Sequence, residues 1–186
     1  MAQAKSIKKK FFEVKIPLTA TKVHILGFTP EELSNRVIKL DLTRNLRGKN
    51  MELRARVVNN NGELEGLLLS LEIVQSYIRR VIRKGTDYVE DSFVTDCKDA
   101  KVRIKPFMIT RKRVSRSVRH ELRDQAKKYL EAHLKARTIE EAMSEITSNK
   151  LQKELSLKLK KVYPLALCEI RMIERVSEKK TQTASQ

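Results

Sequence analysis

The sequence predicts an α+β fold in which a mostly antiparallel run of strands holds one internal helix. Helices and a returning strand then follow. Three observations predict it. Short segments of alternating apolar and polar residues fill the first 110 positions and are separated by turns. From about Arg113 the apolar spacing becomes helical, and after Pro164 alternation returns. Strands joined by turns argue against a doubly wound parallel sheet. A chain of 186 residues argues for one domain with appendages. These are a basic tail over 1–10, a domain over 11–176 and a polar tail over 177–186. Within the domain, 11–110 is β-rich, 113–163 helical and 165–176 a closing strand.

Phe11 to Ile16 and Val23 to Phe28 read as the first two strands. Thr29-Pro30-Glu31-Glu32 is a capping box with Pro at the first helical position, so a short helical turn is expected there. Val37 to Leu42 alternates as a third strand. Met51, Leu53, Ala55 and Val57 alternate with Glu52, Arg54 and Arg56. Asn59-Asn60-Asn61-Gly62 is a hairpin turn because Asn and Gly tolerate positive φ. The return strand runs from Glu63 to about Leu69. Leu71, Val74, Tyr77, Ile78, Val81 and Ile82 recur at helical spacing, with Gly85 as the stop. Tyr88 to Thr95 and Lys101 to Ile109 are two strands, and Pro106 puts the second at an edge or a bulge. Val114, Val118, Leu122, Ala126, Tyr129 and Leu130 form one helical stripe. Thr138-Ile139-Glu140-Glu141 is a second capping box, Asn149 opens a further helix, and Pro164 ends it. Ala166, Cys168, Ile170 and Met172 alternate with Leu167, Glu169 and Arg171 as the last strand.

An apolar content of 40%, spread along the chain, excludes wholesale disorder. The longest apolar stretch, near Leu67 to Val74, is interrupted by Ser70 and Glu72, whereas a bilayer span needs about 20 apolar residues. The charged start has no apolar core behind it, so it is not a secretory signal. No membrane partner is expected. Cys97 and Cys168 lie far apart and read as inert small hydrophobes.

The net charge of +17 (40 basic, 23 acidic) is the dominant fact. It is segregated: +4 over 1–10, +3 over 11–49, −2 over 50–100, +10 over 101–137 and +2 over 138–186. A compact chain with this excess repels itself, and a polyanion offsets the repulsion. Nucleic acid is the first candidate.

Catalytic patterns are sparse. His24, His120 and His133 show no metal-ligand spacing, and no phosphate-binding Gly loop or nucleophile elbow occurs. Asp87, Glu90 and Asp91, with Asp96 and Asp99, offer carboxylates for Mg²⁺ in principle. The plainer reading is a solvated strand face and turn. No enzyme activity, cofactor or metal is expected. A metal-dependent RNA-processing enzyme using those acids, or a free-standing basic RNA-binding protein, stands as the alternative.

Three basic features point to nucleic acid. Lys8, Lys9 and Lys10 form a tail of mobile charges beside Phe11 and Phe12. Arg44, Arg47 and Lys49 sit in a predicted loop. Lys101, Arg103 and Lys105 share one face of a strand, Arg111, Lys112 and Arg113 follow at its exit, and Arg116, Arg119, Arg123 and Lys127 recur at helical spacing. The last four fall within an arc of roughly 80°. The pattern predicts a continuous ridge from strand to loop to helix, with no acid between Lys101 and Arg119. Arg suits structured phosphate contacts through its planar fork. Aromatics are few, so base stacking is not the expected mode.

Several stretches, in order, resemble the archaeal and eukaryotic small-subunit ribosomal protein family S3Ae, called eS1 in the unified naming. KKKFFEVKIP (Lys8 to Pro17) resembles its basic tail running into an aromatic pair. NRVIKLDLT (Asn35 to Thr43) resembles a strand that in the family opens with Gly, here Asn35. Leu64 to Arg113 resembles its strand, helix ending in R-R, acidic turn and basic strand. VRHELRDQ (Val118 to Gln125) sits where the family has an I-R-K helix. VYPLALCEIRMI (Val162 to Ile173) resembles the closing strand. The resemblance implies a β-barrel-like core with attached helices and a structural, cytoplasmic, ribosome-bound role on the small-subunit platform near the mRNA exit. The implied partners are small-subunit rRNA and neighbouring ribosomal proteins, with mRNA near the exit as a further contact. It implies rRNA contacts at Lys8 to Lys10 and Arg111 to Arg119, and adds Arg79 and Arg80 through the R-R match.

Overall fold

The computed structural model describes residues 8–19, 22–44, 46, 49–60 and 62–178. These form nine strands and four helices in an α+β arrangement. The first seven residues, those after 178, and Arg47 lie outside the described residues.

Strands β1 (Lys10–Lys15) and β2 (Val23–Gly27) pair antiparallel. The capping box expected after Phe28 forms in part: the Glu32 N–H donates to Thr29 Oγ1 at 3.4 Å, while the Glu32 carboxylate takes the Phe28 N–H at 3.2 Å in place of the Thr29 N–H. The segment remains a turn rather than a helix, because Asn35 swings the chain out at φ 65° and donates its N–H to the Val57 carbonyl at 2.8 Å. Asn is among the few non-Gly residues that tolerate this left-handed region. That accounts for Asn where the resembled family has Gly.

Strand β3 (Val37–Asp41) pairs with β4 (Met51–Asn60), which pairs with β5 (Glu63–Ile73). Gly62, at φ 95°, closes the hairpin with its N–H on Asn59 Oδ1 at 3.0 Å. Strand β5 overruns the predicted end at Leu69, and Leu71 and Val74 are not helical. Residues 70–72 are claimed by strand pairing on both sides, so the helix α1 (Gln75–Val81) starts later. Gly85 has φ 84° but lies beyond the helix, which ends without it.

The predicted strand from Tyr88 breaks at Asp91 into β6 (Tyr88–Glu90) and β7 (Phe93–Asp96). Both pair with one edge of β8 (Ala100–Thr110), and a register shift falls at Lys105/Pro106, as expected for a strand Pro. Helices α2 (Arg116–Lys135), α3 (Ile139–Thr147) and α4 (Lys150–Leu159) follow. The Thr138 capping box forms in full, with Glu141 N–H on Thr138 Oγ1 at 3.3 Å and Thr138 N–H on Glu141 Oε2 at 3.1 Å.

The last strand, β9 (Leu165–Glu178), pairs with β8 and β5. Its alternation is less regular than predicted. Against β8, Ala166, Arg171 and Val176 have no register partner and act as bulges five residues apart. Glu169 is buried beside Ile170, which a two-residue period does not anticipate.

Strand order explains the core. Successive pairings line up Leu40, Leu53, Leu71, Ile173, Ile104 and Phe93 across six strands. Helices α2, α3 and α4 cover this face with Leu122, Ala126, Leu130, Leu134, Ile139, Met143, Ile146, Leu151 and Leu155, all fully buried. A Leu buried this way contributes about 1.5–3 kcal/mol. The neighbouring row, Lys39, Arg54, Ser70, Glu174, Arg103 and Val94, lies on the opposite face. Strands β2, β3, β6 and β7 each pair on one side only among the described residues, so the sheet is open and the expected barrel is not closed.

Candidate RNA interface

The basic segment after β8 is fixed at its root. Thr110 is fully buried, and its hydroxyl accepts the Asp87 N–H at 3.1 Å. The same hydroxyl lies 2.9 Å from the Asp87 carbonyl and 2.7 Å from the Lys112 carbonyl, either of which takes its proton. The Asp87 carboxylate accepts the Val114 N–H at 2.9 Å. Arg111, Lys112 and Arg113 are exposed on the turn these bonds hold. Ser115 then caps α2, its Oγ accepting the Val118 N–H at 3.4 Å. The sequence carried a signal for this cap, a Ser at the helix start, whereas the Asp87 role had no local signal.

Arg116 and Arg119 stand within the first four residues of α2, whose first turn contains no acid. Cations at a helix N-terminus oppose its dipole, at a cost of about 0.3–1 kcal/mol for each exposed charge. The arrangement disfavours the free protein and favours a bound anion. Arg116, Arg119 and Arg123, with Tyr88, Val89 and His120, line a groove of about 270 Å³ between α2 and β6. The Nε of Arg119 is buried and has no hydrogen-bond partner among the described residues. Lys127 lies farther along, its Nζ 5.8 Å from the Phe93 ring centroid.

That last contact corrects the predicted ridge. Phe93 pairs with Ile104 and faces α2, so Lys101, Arg103 and Lys105, which alternate with Val102 and Ile104, project from the opposite face of the sheet. Arg103 is also ion-paired with Glu174 at 3.3 Å. The basic surface is therefore two surfaces. The helical one, Arg111 to Arg123, has the higher density of Arg.

The remaining expected contacts are scattered. Lys8, Lys9 and Lys10 are exposed at the start of β1, with Lys9 Nζ 5.4 Å from the Phe28 ring centroid. Arg44 is exposed. Lys49 is a correction: it is 8% exposed, bonds to the buried Glu169 carboxylate and donates to Asn149 Oδ1 at 3.0 Å. Desolvating an ammonium requires such a partner, and its charge is spent inside the protein. Arg79 is exposed on α1, and Arg80 donates to Asn50 Oδ1 at 2.9 Å and lies 5.8 Å from the Tyr77 ring centroid.

Three of the acids considered for a metal are engaged separately. Asp87 holds Val114, Glu90 pairs with Arg171, and Asp91 accepts the Ser92 N–H at 2.9 Å. No grouping of three His, Cys, Asp or Glu suited to a metal occurs among the described residues. No described helix is long and apolar enough to cross a membrane.

The chain is 27% identical to the small ribosomal subunit protein eS1 of Nanoarchaeum equitans, over 88% of this chain and 87% of that protein. It is 26% identical to the eS1 protein of Methanothermobacter thermautotrophicus, over 88% of each. With that of Sulfurisphaera tokodaii the identity is 28%, over 87% of this chain and 88% of the other. The model of the ribosomal S3Ae family matches residues 2–179, which span the whole described fold, and the chain belongs to that family.

Proposed function

We propose that this protein is a structural, non-catalytic component of the small ribosomal subunit, ribosome-bound in the cytoplasm, that grips rRNA through the surface from Arg111 to Arg123. The observation that carries the reading is that run of Arg on a rigid root, placed against the dipole of α2 within a ribosomal protein family. The shared name of the archaeal relatives supports the small subunit. A platform position near the mRNA exit, with neighbouring ribosomal proteins and mRNA within reach, follows from the family resemblance. Lys8 to Lys10, Arg44, Arg79 and Arg80 serve as secondary rRNA contacts. Arg47 belongs to the same proposal through the sequence alone. Lys101, Arg103 and Lys105 face a different neighbour from the one α2 meets.

Sedimentation through a sucrose gradient tests the reading. The protein should travel with small subunits at low salt and leave them only at high salt, because phosphate contacts release counterions. A protein found wholly in the soluble fraction at low salt overturns it.

A further inference from the structure

Strand β9 is paired on both edges over only part of its length. It meets β5 at residues 172–174 alone, whereas its pairing with β8 runs back to Leu165. Over residues 165–169 the edge away from β8 has no strand partner among the described residues, and no main-chain bond from another segment replaces one. Free N–H and C=O groups at strand spacing are a template for one more strand. This edge forms one side of a groove of about 680 Å³, and α4 forms the other. Leu157 lines it from α4 while 68% exposed, and Leu46, Leu165 and Leu167 add half-buried apolar surface. Four Leu gathered in one groove exceed the scattered apolar residues of an ordinary surface. The charge is one-sided. Glu169, the one acid among the lining residues, is buried against Lys49. Lys150, Lys153, Leu157 and Lys160 share an arc of about 80° on α4. Those three lysines are exposed, with no ion pair among the described residues. Glu154 is engaged elsewhere, accepting the Tyr129 hydroxyl at 2.7 Å.

We infer that this groove is a strand-addition site. An extended, acidic segment of a partner protein lies along β9, its main chain bonded to the free edge, its apolar side chains on the leucines and its carboxylates on the α4 lysines. At about 3.3 Å per residue the free edge takes roughly five residues of such a segment. RNA also answers the lysines, but its phosphates find no partner in main-chain carbonyls at strand spacing or in four Leu. The site shares no residue with the Arg surface of α2 and does not rest on the RNA-binding reading.

The test uses the full chain and a fluorescein-labelled hexapeptide of alternating Val and Glu, followed by fluorescence anisotropy. Three probes are compared with it: a Val–Lys counterpart, the Val–Glu peptide N-methylated throughout, and a short oligouridine. The Val–Glu peptide should bind about tenfold tighter than the Val–Lys peptide. N-methylation removes every main-chain donor and should cost about tenfold or more. Leu157→Ser should weaken binding about tenfold, the scale of one buried Leu, without moving the melting temperature, because Leu157 is exposed in the free chain. Lys153→Glu should narrow the preference for Glu over Lys. Hydrogen exchange of the amides in residues 165–169 should slow when the Val–Glu peptide is added. No binding of that peptide, equal binding of its methylated form, or unchanged exchange over 165–169 overturns the site. Oligouridine that slows the same amides overturns the protein occupant in favour of RNA. None of these results decides the RNA-binding reading, which stands or falls on salt-dependent binding through Arg111 to Arg123.

Discussion

The side chain of Asp87 holds the Val114 N–H at 2.9 Å while its own main chain is tied to Thr110, so one acidic residue fixes both ends of the basic turn Arg111–Arg113. The site is thus positioned by a group of the opposite charge. This gives a test that separates positioning from electrostatics. Asp87→Ala makes the chain more positive, and charge alone would tighten RNA binding. Loss of the clasp should instead weaken it several-fold and cost about 1–2 kcal/mol of stability. Asp87→Asn keeps an acceptor oxygen and should recover part of both. Binding isotherms and denaturant melts on the two variants check this.

The two basic surfaces should respond differently to salt. Each phosphate contact contributes about −0.7 to −0.9 to the log–log slope of affinity against salt. R111Q/R113Q/R116Q/R119Q should flatten the slope by roughly two to three units. K101Q/R103Q/K105Q should leave it nearly unchanged with a probe that meets α2, because those side chains lie on the other sheet face. Equal effects of the two variants would restore a single continuous ridge.

What was legible in the sequence follows the range of each interaction. Local signals held: the Asn59–Gly62 hairpin, the Thr138 capping box and the alternation of Met51 to Val57 all describe contacts within a few residues. Long-range pairing decided the rest. Leu71 carries helical spacing, yet it lies between Leu53 and Ile173 in the sheet. The bulges at Ala166, Arg171 and Val176 shift the period of β9 and turn Glu169 inward. The arc of Arg on α2 could be counted from spacing. Whether it shared a surface with Arg103 depended on which sheet face the helix covers.

The thiols should be silent in the folded protein. Cys97 and Cys168 are both buried, and burial pushes the Cys168 thiol up to about 12. The nucleophile is the thiolate, so a thiol-reactive dye at pH 8 should label neither residue until denaturant is added, when both react. Rapid labelling of the native protein would contradict this burial.

The α3 cap gives a pH signature. The Thr138 N–H, then the nearby Lys98 and Arg137, hold the Glu141 carboxyl below its ordinary value of 4.5. A depressed carboxyl stabilises the fold above its unfolded pKa and loses that contribution as pH falls through its folded pKa. Glu141→Gln should therefore melt lower than the parent at pH 7, and the gap should close on acidification below 4.5. A gap independent of pH would mean that shape rather than charge holds the cap.

Lys49 and Glu169 are separated by 120 residues in sequence and buried together, with Asn149 Oδ1 taking a second bond from the ammonium at 3.0 Å. Asn149 itself has φ 60°, so the N-terminus of α4, the loop before β4 and the last strand all meet at this charge. Removing one partner strands the other charge in a poorly solvated site, and Lys49→Ala or Glu169→Ala should each cost roughly 3–5 kcal/mol. Replacing both by apolar side chains removes the attraction and the desolvation penalty together. Lys49→Met with Glu169→Leu should therefore recover most of the loss in a denaturant melt. RNA binding then separates a structural lysine from a contact. The double variant should bind a hairpin RNA with the parent's affinity and salt slope, since its lost positive charge is buried. A slope reduced by about one unit would return Lys49 to the interface.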